Sequence, residues 1–332
     1  MKQKALCAVQ MNWSAEHYRS REAFEAKIRS LLDKCPAKSE NLDILAAFPE
    51  DVGTPLVLMD SPDWVFRAGS LRSAIIRLAV CYAAQTLKYK LSYRTGLIRS
   101  LILARADTAA KAYFETFSGL AREYGIYLAA GSILLPDIIS LPDKPWERGN
   151  TYQFNLPDVY NICFLFGPDG RIMGYQKKVY LVPDLEDEKG FDIVSGSLSD
   201  LKVFDSPFGK LGIAVCLDGF KADVLQRLVE LGANILIQPS ANSKPWNQDE
   251  QEGWMKSVWT AVDSRGFAYA MNPMMTGCLY DLCFEGQSSI LEKNYTGRKT
   301  GYSALQPVEH FVKIAEGWNS EEIITVFIND IE

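Results

Sequence analysis

KALCAVQMN at residues 4–12 and LDILAAF at 42–48 are short, mainly apolar runs, and the segment between them sets Phe24, Ile28, Leu31 and Leu32 at helical spacing among charges. Runs this short that stay apolar on both faces read as buried strands, whereas the 15–34 segment reads as an amphipathic helix. Strand, helix and strand in that order make a crossover unit with adjacent strands, and this restricts the chain to folds that cover a sheet with helices.

The alternation continues to the end. A helix over about 107–124 is followed by the strand IYLAAGSILL at 126–135, and YNICFLFGPDGRIMGYQKK forms a hairpin around Gly167-Pro168-Asp169-Gly170. Then come KLGIAVCLD, a helix near 221–231, the strand ANILIQPSA, a helix over 251–265, the strand FAYAMNP and a closing IITVFIND. There is no internal repeat and no low-complexity tract. The expected product is one layered α/β domain over 1–332, large enough to bury a core without a disulfide or metal staple.

One stretch breaks the rhythm. Residues 64–106 hold eight basic side chains (Arg67, Arg72, Arg77, Lys88, Lys90, Arg94, Arg99, Arg105) among apolar residues, and no acidic one. With a net charge of −6 overall and +8 here, the remainder carries −14. Like charges need an anionic partner, which is the rest of the protein, an anionic substrate or a lipid surface. The preferred expectation is one or two helices packed over the rim of the site or at a subunit interface, with weak membrane-surface contact as the alternative.

Composition excludes several classes. A net charge of −6 argues against nucleic-acid binding. The start MKQKALCAVQMNW does not read as a signal peptide, and no run of 18 apolar residues exists to span a bilayer. Seven cysteines at irregular spacings, none in a CxxC pair, suggest free thiols in a reducing, cytoplasmic compartment. Only His17 and His310 are present, so neither a Cys–His dyad nor a multi-histidine zinc site is expected. Proton chemistry would rest on carboxylates and lysine.

Three positions stand out. Cys216 follows the buried run GIAV and precedes Leu-Asp-Gly, at a strand's carboxyl end, where α/β proteins place their sites. Taken alone it reads first as a small buried hydrophobe, as most cysteines are. Glu50 ends LAAFPE at the edge of a core, where partial burial would raise its pKa towards that of a general base, though taken alone it reads first as a solvated loop acid beside Asp51. Lys177 and Lys178 close a hairpin strand, and the alternation of strand side chains leaves open which of them points inward.

Together these blocks form a pattern. FPE at 48–50, KVYLVPDLE at 178–186 and GIAVCLD at 212–218, in that order, resemble the three catalytic blocks of the carbon–nitrogen hydrolase (nitrilase-like) family. The hairpin, ANILIQPSAN, the helix with Trp254 and Trp259, and FAYAMNP fit as well, leaving 54–106 as the insertion that does not. The resemblance implies a four-layer α-β-β-α sandwich, commonly paired into dimers or larger homo-oligomers, acting on a small amide-type substrate with no cofactor and no metal. It assigns Glu50 as acid and base, Cys216 as nucleophile and the backbone N–H of Leu217 as oxyanion donor. It chooses Lys178 over Lys177, because the family's lysine stands two residues before a His-Leu pair, here Tyr180-Leu181. Glu186 resembles a second glutamate that positions substrate and lysine.

Leu217-Asp218 replaces the Trp-Glu that follows the cysteine in nitrilases proper, which favours amides or carbamoyl compounds over nitriles. The run at 181–186 also resembles that of apolipoprotein N-acyltransferases, so acyl transfer at a membrane surface is a further alternative. A catalytically inactive binding protein would have no need of all three residues.

Overall fold

A computed structural model describes residues 2–142, 144–146 and 150–328. The chain begins with β1 (Gln3–Trp13), α1 (Arg21–Leu32) and β2 (Leu42–Ala47), the expected crossover unit, and β1 and β2 pair in parallel. Ser20 caps α1 by accepting the Ala23 N–H at 3.2 Å, and the helix buries Phe24, Ile28, Leu31 and Leu32.

The 64–106 stretch forms more helix than expected: α2 (Asp63–Phe66), α3 (Leu71–Cys81), α4 (Ala83–Tyr93) and the start of α5 (Leu97–Tyr124). The helix expected from 107 thus begins inside the basic segment. It can do so because the arginines that interrupt its apolar run are partnered. Arg99 reaches Asp192 at 2.7 Å, and Arg105 donates to the carbonyls of Val57 and Met59 at 3.1 and 2.6 Å while stacking over Tyr82. Val65, Phe66, Ala74, Leu78 and Leu101 are buried, while Ile76, Val80, Leu87 and Leu91 are exposed.

After α5 run β3 (Tyr127–Ser140), β4 (Gln153–Phe166), β5 (Ile172–Lys177), β6 (Val203–Ser206) and β7 (Gly209–Ile213). Next are α6 (Ala222–Glu230), β8 (Ile235–Ile237), β9 (Ser240–Ala241), α7 (Gln248–Trp254) and α8 (Val258–Ser264). The chain ends with β10 (Tyr269–Asn272), β11 (Met274–Leu279), β12 (Leu282–Phe284), β13 (Ser289–Glu292), β14 (Phe311–Ile314) and β15 (Glu322–Ile328). The last two residues of the IITVFIND run lie outside the described residues.

Two sheets result. The first runs β12-β11-β1-β2-β3-β4-β5, with β15 also on β1 and β9 on β11; the second runs β14-β13-β10-β8-β7-β6. One face of the first sheet (Leu6, Ala8, Leu45, Ala47, Leu165) shares a core with the second sheet and with α6 and α8. The other face (Val9, Ile44, Phe164, Phe166) packs under α1 and α5. Helix, sheet, sheet and helix are therefore stacked, and the fold is the expected sandwich.

Two expectations are corrected. The helix expected over 251–265 is two helices, broken where the Ser257 hydroxyl donates to the Trp254 carbonyl at 2.7 Å and its backbone leaves the helical region. The cysteines are not all free. Cys278 and Cys283 form a disulfide, because the β11–β12 hairpin sets them directly opposite with Cα atoms 4.0 Å apart. A separation of five residues carries no hairpin signal until the tight turn at Tyr280-Asp281 is known.

Candidate active site

Glu50 is placed by the turn that ends β2. The Phe48 N–H bonds to the Ala129 carbonyl, and Asp51, at φ 62°, donates its N–H to Ser132 Oγ at 2.9 Å. Gly131 permits this crossing: a Cβ there would lie 2.1 Å from the Pro49 carbonyl oxygen, and its φ of 65° suits glycine. Glu50 ends 3% exposed.

Lys178 follows β5, its N–H bonded to the Asn161 carbonyl at 2.8 Å. Strand alternation sends the two lysines opposite ways. Lys177 pairs with Asp137 at 2.7 Å and lies over the Tyr160 ring. Lys178 is 1% exposed and sits between Glu50 Oε1 at 2.8 Å and Glu186 Oε2 at 2.7 Å. Glu186 also accepts the Val182 N–H at 2.7 Å. Tyr180, where the family pattern has histidine, bonds to Asp223 away from the lysine.

Cys216 stands just beyond β7 at φ 47°, in the left-handed region that non-glycine residues occupy only when their surroundings enforce it. Its N–H donates to the Pro239 carbonyl at 2.8 Å and its carbonyl accepts Gln238 Nε2 at 2.9 Å. Gly219 makes room for that amide, since a Cβ there would fall 2.2 Å from the Gln238 side chain. The thiol faces the Ala241 carbonyl at 3.7 Å.

Two further residues join these pieces. Asn161 donates through one nitrogen to Glu50 Oε1 at 3.0 Å and Glu186 Oε1 at 3.2 Å. Asp218, fully buried, accepts the N–H groups of Val179 at 2.9 Å and Tyr180 at 2.7 Å, tying the cysteine turn to the lysine strand. Sequence reasoning missed the roles of Asn161 and Gln238. Their signal is a polar residue in or at the end of an otherwise apolar strand run, which demands buried partners.

Electrostatics follow from burial. Dehydration opposes the Lys178 charge, but the two glutamates outweigh it and hold its pKa well above the ordinary value. One ammonium between two carboxylates leaves a net negative charge, which a dry site resists. Burial therefore raises Glu50 to about 8, with Lys178 opposing. Burial and the negative charge of Glu50 push the Cys216 thiol well above its usual range, so it rests protonated. Burial likewise lifts Asp218 to about 7, against the two N–H groups it accepts.

Glu50, Lys178, Glu186, Cys216 and Leu217 line one cleft of about 490 Å³, walled by Phe220 and Trp254; neither histidine lines it. A thiol, an acid–base carboxyl and a fixed cation around one open space suit nucleophilic attack on a polarised carbonyl carbon.

The sequence model of the family described as carbon-nitrogen hydrolase matches residues 64–329. The chain belongs to the carbon–nitrogen hydrolase family. Lys178, Glu186 and Cys216 fall within the matched stretch, and Glu50 precedes it. The chain is 32% identical over 131 residues to omega-amidase NIT2-B of Xenopus laevis, covering 38% of this chain and 41% of that protein. To human omega-amidase NIT2 it is 29% identical over 163 residues, covering 48% and 51%. It thus spans about two fifths to one half of the length of these curated relatives. In structure it resembles a carbon-nitrogen hydrolase from Helicobacter pylori G27 (TM-score 0.62, 17% identity, 99% of this chain and 89% of that one). It also resembles an amidase from Nesterenkonia sp. (TM-score 0.56, 15% identity, 99% and 90%). These likenesses establish that the chain has the family's fold.

Proposed function

We propose that this carbon–nitrogen hydrolase cleaves the C–N bond of a non-peptide amide or carbamoyl compound through a thioester on Cys216, releasing ammonia or an amine. The observation that carries the reading is the Lys178 ammonium held between Glu50 and Glu186 in the cleft that Cys216 lines. Glu50 takes the thiol proton as Cys216 Sγ attacks the carbonyl carbon. The oxyanion is held by Lys178 and the Leu217 N–H. Collapse breaks the C–N bond, and Glu50 returns its proton to the leaving nitrogen. Glu50 then takes a proton from water, which attacks the thioester. The acid leaves, and the thiol is restored by the same proton. Glu186 and Asn161 keep Lys178 and Glu50 in register.

Amidase relatives and Leu217-Asp218 after the cysteine favour amides over nitriles. Among the described residues no helix is long and apolar enough to cross a membrane. A cytoplasmic location is part of the reading, supported by the five free thiols, while the Cys278–Cys283 disulfide weighs against it. Ammonia release across primary amides, carbamoyl amino acids and nitriles tests it. Turnover of amide or carbamoyl compounds is expected, and turnover confined to nitriles would contradict it.

A further inference from the structure

A second cavity adjoins the cleft. It measures about 90 Å³ and lies under α3 and α5, with walls that include Leu71, Ala74, Ile75, Leu78, Leu101 and Phe284. Asp51, Leu185, Phe191 and Phe284 line both spaces, so the cavity and the cleft share a wall. Apart from Asp51 every charged side chain is missing from its lining, and no Lys, Arg or His is among the lining residues. The cleft itself presents Glu50, Asp51, Glu186, Asp249 and Glu250 against Lys178 and Lys244, so a substrate carboxylate would meet a surplus of acids.

We propose that this cavity is the acyl subsite, and that the substrates are amides whose acyl group is a short, uncharged aliphatic chain. The inference rests on the amide-hydrolase reading above. The acyl group stays covalently held through both half-reactions and suits an enclosed apolar pocket, whereas the leaving group needs a route to solvent. Apolar walls with few convergent polar groups are the usual make-up of a specificity pocket. A volume near three waters' share of liquid space admits about three to five carbons and excludes a fatty chain. Two helices of the basic segment, α3 and α5, supply seven of the nineteen lining residues, so this segment contributes to the specificity.

The test is ammonia release from acetamide, propionamide, butyramide, pentanamide, hexanamide and succinamate, with N-butylacetamide followed by amine release. kcat/KM is expected to rise about fourfold per methylene, the value of burying one CH₂, to an optimum at butyramide or pentanamide, and succinamate is expected to be at least tenfold poorer than butyramide. Ala74→Leu, which fills the cavity, should shift the optimum to shorter chains. Ile75→Ala, at a half-buried position, should shift it to longer ones. A flat or falling series with acetamide hydrolysed, a preference for succinamate, or a chain-length gain only in the N-alkyl group would overturn the subsite and leave the hydrolase reading standing. Absence of hydrolysis throughout the series and in carbamoyl compounds would instead remove that reading.

Discussion

Asp218 Oδ1 accepts the Tyr180 N–H at 2.7 Å, which ties the residue two places after Cys216 to the residue two places after Lys178. Its other oxygen holds the Val179 N–H at 2.9 Å. Each oxygen satisfies one buried donor, so Asp218→Asn would turn an amide NH₂ towards one of them and leave that N–H unpaired. The expected loss is about 1–3 kcal/mol of stability. A kcat fall of at least about tenfold should accompany it, because small misplacements of a catalytic group are costly. Urea unfolding and steady-state kinetics on the variant check both.

Glu50, raised to about 8 by burial and proposed as the base, is expected to set the acidic limb of activity. As the base it must be ionised, so kcat/KM should fall as pH drops through about 8, far above the ordinary carboxylate range. Its linkage to stability has a definite sign. The folded state holds this proton more tightly than the unfolded state, so Glu50's contribution is fully present below about 4.5 and is lost as pH rises to about 8. Glu50→Gln, which cannot ionise, should therefore gain in Tm relative to the parent between pH 5 and pH 8.5, while kcat falls at least ~10²-fold. A Tm difference independent of pH would contradict the assigned shift.

Lys178 and Lys177 should behave oppositely. Lys178→Met leaves Glu50 and Glu186 buried without their cation, which costs about 3–5 kcal/mol in comparable buried pairs and should lower kcat at least ~10²-fold through loss of the oxyanion partner. Lys177→Met removes a pair with Asp137 on the other face and should leave kcat nearly unchanged. Paired kinetics and denaturation of the two variants check this, and the reverse order would shift the oxyanion role to Lys177.

Much of this was legible in the sequence because burial writes itself as apolar runs. The stripe of Phe24, Ile28, Leu31 and Leu32 marked α1, and GIAV before Cys216 marked the strand that delivers the thiol. The lysine choice was not legible from alternation alone, since the pattern allows either side; only the family's placing of its lysine two residues before a His-Leu pair, here Tyr180-Leu181, selected Lys178. Asn161 and Asp218 act through partners distant in sequence, Glu50 and Val179 among them, and no local pattern records such pairs. The start of α5 was misplaced because Arg99 and Arg105 looked like interruptions, whereas Asp192 and two backbone carbonyls accept them. The disulfide was missed because cysteine spacing says nothing about a hairpin that sets two residues face to face.

The thioester on Cys216 is the central claim. The most direct measurement is intact-protein and peptide mass spectrometry after acid quench during turnover of a slow amide substrate. One acyl group should appear on the peptide carrying Cys216, and Cys216→Ala should keep the circular dichroism spectrum while showing neither adduct nor turnover. An adduct on Cys7, Cys35, Cys81 or Cys163, or turnover retained by the alanine variant, would contradict it.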